Sequence, residues 1–376
     1  MRPLFQSNSA HFKYQSLLVF AVLVAYAPIA LINQPLWDDW VILAYFREGT
    51  LWELFKQLGR REQYALMEPF AASGDPRFWT ASMLLLFCAL APLIYTIIRK
   101  VTAWPPVDAF WAALLTALVP LNQARFVLST VPYAFSCLFF ALALVVLLRD
   151  LNVSSVFRRL LVVLLLTMAF STNSFLVLGW IPPAIVAVEA LRKVKNPGNA
   201  AQVVLAITQG VGRRLELVLL PLLYWQGKKL LEPTYGLYEH YNTFHMGVFA
   251  ALWQTLIAFF TQLREGSAVL IPDRSDIFEI GIVVALAIAI FAVAAKAWNL
   301  PLATRDEQHD RRLTAFVAVA ALALIVSAIF PYVIVGQPPR FAGLWETRHQ
   351  TTLMMVSGFA IFASLRLFVP AGFYGQ

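Results

Sequence analysis

Charge is what this sequence has least of. Only 13% of its 376 residues are Asp, Glu, Lys or Arg, where a soluble globular domain carries roughly a quarter. With 60% hydrophobic residues and a mean hydropathy of +0.69, that scarcity excludes an ordinary soluble fold and predicts a membrane-embedded chain. Cysteine is nearly absent. Cys88 and Cys137 both fall in apolar runs, so they read as packing residues, and neither a disulfide framework nor a cysteine metal site can be built from them. Neither phosphate-cradling pattern, G-x-x-x-x-G-K-[ST] or G-x-G-x-x-G, occurs, which leaves an ATP-driven pump without support. No secretory signal peptide is expected: the first apolar segment has a long polar lead and is followed by Pro35 and Trp37, not by small cleavage-site residues. Low-complexity tracts, tandem repeats and a separate globular domain are missing as well.

What is present is a succession of apolar runs. They predict an all-α polytopic membrane protein with ten spans, near 17–34, 78–98, 107–122, 131–148, 160–172, 175–191, 215–231, 278–297, 313–335 and 350–368. The fifth is short and breaks at "FSTNSF", which predicts a half-length helix turning back near one face. Irregular backbone at such a depth must be shielded by protein or face a water-filled cavity. The Lys/Arg-rich connections "RK" at 99–100, "RDLNVSSVFRR" at 149–159, "RKVK" at 192–195, "GRR" at 212–214 and "RDEQHDRR" at 305–312 all fall on the side of the N-terminus, which the positive-inside rule makes the inside. The net charge of +8 is then a topology signal and needs no nucleic-acid partner. Residues 1–376 form a single transmembrane domain whose outer loops are 35–77, 232–277 and 336–349. In the first loop Leu51, Leu54, Phe55 and Leu58 recur at helical spacing, with Glu53, Lys56, Gln57 and Arg60 opposite, so an amphipathic interfacial helix is expected. A second is expected at 247–263, where Gln254, Thr255 and Gln262 interrupt an otherwise spanning run.

Asp38 and Asp39 stand in "ALINQPLWDDWVILAYF", between two tryptophans, directly after the first span. One aspartate there can cap the helix that begins at "WVILAYF", and the tryptophans suit an aromatic belt. A second adjacent carboxylate is harder to explain this way, because repulsion raises the pKa of one of the two. The functional reading makes one aspartate a general base on an acceptor hydroxyl, while the other orients it or helps hold a divalent cation such as Mg or Mn.

An acidic pair opening the first extracytoplasmic loop is similar to the motif of the GT-C superfamily of integral-membrane glycosyltransferases. The stretches "QARFVLSTVPYAFSCLFFALALVVLLRD" and "RRLLVVLLLTMAFSTNSFLVLGWIPPAIVAVEALRK" resemble the core of those enzymes, and "LLPLLYWQGKKLLEP" followed by "YGLYEHYN" resembles the start of their second large outer loop. The likeness is one of architecture plus one short motif. The families it brings in are protein O-mannosyltransferases, aminoarabinose transferases and O-antigen-modifying glucosyltransferases. It implies transfer of a sugar from a polyprenyl phosphate or pyrophosphate to an acceptor on the extracytoplasmic face, with a carboxylate deprotonating the acceptor. It also implies a bacterial cytoplasmic membrane with the active site facing the periplasm or exterior. Many relatives carry further spans or a soluble domain beyond the tenth, so acceptor recognition is the part the likeness leaves open.

A lipid-phosphate donor needs cations near the outer leaflet. Candidates are Arg348 with His349 in "WETRHQ", Arg340 in "QPPRF", and Lys228 and Lys229 in "WQGKKLLEP". Snorkelling at a helix end is the simpler account of either lysine alone. Tyr238, His240 and Tyr241 in "YGLYEHYN" can stack on or bond a sugar, and they can equally anchor an interface. His240 and His245 are five apart, a poor spacing for two metal ligands on one helical face. A transporter or flippase of lipid-linked saccharides would use the same outer groups, but it should place ionisable residues at mid-membrane, where these runs have almost none. A non-catalytic membrane subunit remains a third reading. Membrane lipids are partners on every reading, and protein partners are not legible.

Overall fold

The computed structural model describes residues 4–28, 34–118, 123–151, 155–194, 199–239, 243–270, 311–338 and 350–368. Among them the fold is all-helical. In chain order the helices are α1 (Leu4–Tyr26), α2 (Asp39–Arg47), α3 (Leu51–Gln57), α4 (Arg61–Ser73), α5 (Pro76–Thr102), α6 (Pro106–Leu118), α7 (Val131–Asp150), α8 (Val156–Phe170), α9 (Ile181–Arg192), α10 (Ala200–Gly212), α11 (Leu215–Leu231), α12 (Val248–Leu270), α13 (Arg311–Ile334) and α14 (Thr351–Phe368). Three described stretches, Pro76–Thr102, Leu128–Asp150 and Asn173–Arg192, are long and apolar enough to cross a membrane. The expected span at 278–297 lies outside the described residues.

Local chemistry sets the helix ends. The Asp75 side chain accepts the Arg77 N–H at 2.9 Å, Pro76 occupies the first turn of α5, and Arg99 and Lys100 occupy its last. This is the expected polarity for a cap, an N-terminal proline and the helix dipole. α5 is the central element, packed by α1, α6 and α7. From it the contacts run α6 to α14 to α13, then to the 3-10 stretch Asn173–Trp180, and back through α11 and α8 to α7. Where α14 crosses α6 the backbones nearly touch: a Cβ on Gly358 would lie 2.0 Å from the Thr116 amide nitrogen. Ala112 and Ala113 are fully buried on the same helix. Small residues of this kind let helices without a polar seam pack closely.

Two expected interfacial helices differ from expectation. In α3, Leu51, Leu54 and Phe55 are buried in the main core, so its apolar stripe faces the bundle and not lipid. α12 is 23 residues long and packs along α13. The His245 N–H donates to Ile334 O at 3.0 Å, so α12 begins where α13 ends and the two run antiparallel. The polar interruption that argued against a lengthwise helix is absorbed locally: Thr255 is fully buried and its hydroxyl donates to Ala251 O at 2.7 Å. Helix α10, which the apolar runs did not flag, packs against α9, with Gly210 facing Ala190 and Val186.

The bundle therefore has two unlike ends. One carries α2, α3, α4, the turns at 123–130 and 171–174, and residues 232–239 and 243–246. The opposite end holds the ion pairs Arg214–Asp150 and Arg159–Glu216. There too the Arg192 guanidinium donates to the carbonyls of Lys100 and Val101. The Arg192 side chain thereby closes an open helix terminus.

Candidate functional site

The aspartate pair divides into two different groups. Asp39 is 1% exposed. Its Oδ2 accepts the Leu36 N–H at 3.1 Å, and its Oδ1 accepts the Ser129 N–H at 3.0 Å. The Asp39 N–H returns a bond to Leu36 O at 3.0 Å. This reciprocal clamp sits around Trp37, held at φ +46°, a left-handed conformation that costs a non-glycine residue energy and persists only where neighbours enforce it. Burial raises the Asp39 pKa most strongly; the amide bonds from Leu36, Ser129 and Leu128 oppose the shift, and the Asp38 charge adds to it. Asp38 occupies the N-cap position of α2 but makes no side-chain cap bond, and it is exposed. The capping role expected of the pair is thus replaced by a clamp made by the second aspartate, which ties the first loop to the 128–130 turn.

These residues do not fit a divalent cation. Both Asp39 oxygens face amide protons in a buried site, and only Asp38 offers exposed oxygens. Among the described residues no three carboxylate, His or Cys groups converge. A lone exposed carboxylate is a poor site for Mg or Mn, which need several oxygen ligands.

A second polar cluster surrounds the turn at Ser171–Ser174, where α8 stops and the chain turns back as the sequence predicts. Three elements hold it. Gln63 of α4 donates to Ser171 O at 2.8 Å, Ser136 of α7 donates to Thr172 Oγ1 at 2.9 Å, and Lys228 of α11 lies 3.4 Å from Ser171 O. Lys228 is paired with Glu62 at 2.5 Å, and the Tyr224 hydroxyl donates to the same Glu62 oxygen at 3.1 Å. Lys229 is exposed, its ammonium 5.8 Å from the Trp225 ring centre. Glu232 lies in this group too, its carboxyl pushed above the ordinary range by burial first and by Glu62 second. The turn between α3 and α4 makes the arrangement possible. Gly59 has φ +62°, and a Cβ there would lie 2.5 Å from Glu232 O, so only glycine lets Arg60, Arg61 and Glu62 approach α11. Tyr235 closes the far side, bonding Glu53 through its hydroxyl and Gln57 O through its N–H. Tyr238 is half-buried against the core. Arg340, Arg348, His349, His240 and Tyr241 lie outside the described residues.

Beside this cluster is a cavity of about 230 Å³, lined by Arg60, Tyr133, Asn173, Trp225, Tyr332 and Gln337 among others. A separate cavity of about 140 Å³ between α5, α7, α9 and α14 has almost wholly apolar walls, including Ile94, Ile98, Phe140 and Phe359. Sequence reasoning gave Arg60 only a place on the polar face of α3 and missed Arg61 and Glu62. The signal was "LGRREQ", where a glycine ends one amphipathic run immediately before three charges.

No family model, curated protein or solved structure matches this chain.

Proposed function

We propose that this chain is a membrane glycosyltransferase of the polyprenyl-phosphate-dependent kind, working at the end of the bundle that carries α2, α3 and α4, with that end facing outward. The supporting observation is the division of labour in the aspartate pair. A buried, doubly bonded Asp39 fixes the backbone from which an exposed Asp38 projects. A general base must be reachable by its substrate and held at a fixed position, and Asp38 meets both needs. In the proposed reaction Asp38 takes the proton of an acceptor hydroxyl. The acceptor oxygen bonds the anomeric carbon, the bond to the donor phosphate breaks, and the phosphate leaves with the electron pair. Arg60, Arg61 and Lys228 supply positive charge at the same end, and such charge stabilises a leaving phosphate more as its own charge develops. Arg340, Arg348 and His349 join them in this proposal.

A carrier of lipid-linked saccharides is less well supported. Among the described residues, the buried ionic groups Asp39, Arg125, Asp150 and Arg214 all belong to turns or helix termini, whereas a translocation path would draw ionisable residues from the spans themselves. The test is transfer from radiolabelled polyprenyl-phosphate sugars by the full chain in vesicles. Release of polyprenyl phosphate by the wild type and its loss in Asp38→Asn is the expected result; equal release by both refutes the mechanism. For orientation, Ser73→Cys should react with an impermeant thiol reagent on intact cells, and Lys193→Cys only after permeabilisation. The reverse pattern would refute the outward placement.

A further inference from the structure

We propose that the apolar cavity between α5, α7, α9 and α14 holds one acyl chain of an anionic phospholipid, whose headgroup sits on the basic residues where α5 and α9 end. The inference goes beyond the transferase reading and does not rest on it. It needs only that the chain lies in a membrane, which its composition and its three long apolar stretches support.

The walls select hydrocarbon over water. Among the described residues lining the cavity, Thr102 has the one polar side chain. Its hydroxyl is already used, donating to Ile98 O at 2.7 Å and accepting the Trp104 N–H at 3.1 Å. A confined water needs roughly two to four polar partners, and these walls do not supply them. The volume of about 140 Å³ is close to that of dry apolar cavities, about 150 Å³, that take up a benzene-sized molecule. It has room for roughly six carbons of a hydrocarbon chain and not for a helix. All three stretches long enough to cross a membrane contribute walls: Ile94 and Ile98 from the first, Phe140 and Leu144 from the second, Ile181 and Ile185 from the third. Ile97, Val101, Ile181 and Phe359 are only half-buried, so the lining reaches the flank of the bundle. In a membrane that flank borders acyl chains, and a chain end entering the cavity restores dispersion contacts that its lining would otherwise lack.

Charge at the rim selects the headgroup. Val101 lines the cavity, and the Arg192 guanidinium donates to its carbonyl and to that of Lys100. The end of α9 is thus tied to the end of α5 at the cavity's edge. Residues 99–104 and 189–194 carry Arg99, Lys100, Arg192 and Lys193 against one acid, Glu189. Glu189 lies 3.5 Å from Arg192 and 3.7 Å from Lys193, so a single carboxylate is shared and the rim keeps a net positive charge. Lys100 and Lys193 are exposed and lie where a phosphate at the membrane surface would meet them. Basic residues beside a gap between spanning helices are the arrangement that receives anionic headgroups. This is the end of the bundle opposite α2, α3 and α4. A lipid anchored here is therefore a resident of the fold and not the sugar donor of the proposed reaction.

The experiment titrates the full chain in detergent with dioleoyl phosphatidylglycerol or dioleoyl phosphatidylcholine and counts bound lipid by native mass spectrometry. The two probes share their chains and differ in charge. The anionic lipid should bind one copy about 10-fold or more tightly than the zwitterionic one, since each basic residue at a headgroup is worth about 5-fold. Lys100→Gln combined with Lys193→Gln should remove most of that preference and leave melting in lipid-free detergent close to wild type. Ala141→Leu fills the cavity from a buried wall position and Ile97→Phe from a half-buried one. Each should weaken the tight lipid by about 10-fold or more, because a filled cavity gains nothing from an entering chain, and at least one should melt at or above the wild-type temperature without lipid. Equal affinity for the two lipids would overturn the proposal. So would the absence of a tight lipid on the wild type, the result expected if a segment of this chain outside the described residues already occupies the cavity. An undiminished preference for phosphatidylglycerol in both filling variants would overturn it too, by placing the lipid on the surface alone.

Discussion

The two aspartates should separate cleanly into stability and catalysis. Asp39→Ala removes acceptors from the Leu36 and Ser129 amides, bonds of 3.1 and 3.0 Å to a carboxylate 1% exposed. Each bond to a charged acceptor contributes about 1.5–3 kcal/mol net. Leu36 and Ser129 are themselves only half-buried, so the lower end applies, giving about 3 kcal/mol for the two. Against this stands the relief of a buried carboxylate, whose raised pKa shows that burial outweighs the amide bonds. The expected loss is about 2 kcal/mol for Asp39→Ala and about half that for Asp39→Asn, which keeps one acceptor. Asp38→Asn changes an exposed side chain with no cap bond and should stay within about 0.5 kcal/mol of wild type, while transfer falls about 100-fold. The pH sign follows from the raised Asp39 pKa. The folded state holds that proton more tightly than the unfolded chain, so this contribution is present at low pH and is lost as pH rises through the folded value. The stability gap between wild type and Asp39→Asn should accordingly widen as the solution is acidified through that value. Thermal unfolding in detergent across pH and transfer in vesicles are the two assays. If Asp39→Ala melts with the wild type, or Asp38→Asn loses stability but keeps transfer, the division of roles is wrong.

Arg214→Ala strands the fully buried Asp150 carboxylate, which Arg214 pairs and the Ser155 N–H bonds at 2.7 Å. It should cost about 3–5 kcal/mol, and the double variant with Asp150→Asn should recover part of that in the same melting assay. Gly358→Ala would put a Cβ 2.0 Å from the Thr116 nitrogen, a backbone contact that cannot rotate away. α14 must separate from α6, at a cost of about 1–3 kcal/mol, whereas Gly212→Ala, with open space around it, should be neutral or stabilising. Glu53 is held below the ordinary carboxylate range chiefly by the Tyr235 hydroxyl. That clip is present above the unfolded glutamate pKa and is lost as pH falls through the folded value. The stability difference between wild type and Tyr235→Phe should therefore vanish on acidification, and a difference that grows instead would contradict the assignment.

What the sequence determined by itself is the helical plan. Apolar runs of the right length gave α5, α7, α11 and α13 to within a few residues, because the 3.6-residue period and the cost of unpaired backbone are local matters. The break at "FSTNSF" was equally legible, since polar residues after an apolar run cannot continue it at the same depth. Tertiary structure decided the rest. Adjacent in sequence and alike in chemistry, Asp38 and Asp39 received opposite surroundings because the Ser129 amide arrives from 90 residues away. The stripe of α3 looked fit for lipid and is buried in protein, since periodicity says which face is apolar and not what will cover it. Glu62 meets Lys228 across 166 residues, and no spacing rule could pair them. The cavity beside the Ser171–Ser174 turn exists only where ends of α4, α7, α11 and α13 come together. Sequence pattern fixes faces and ends, which depend on neighbours along the chain; a site depends on distances through space, and those are set only when the helices have packed.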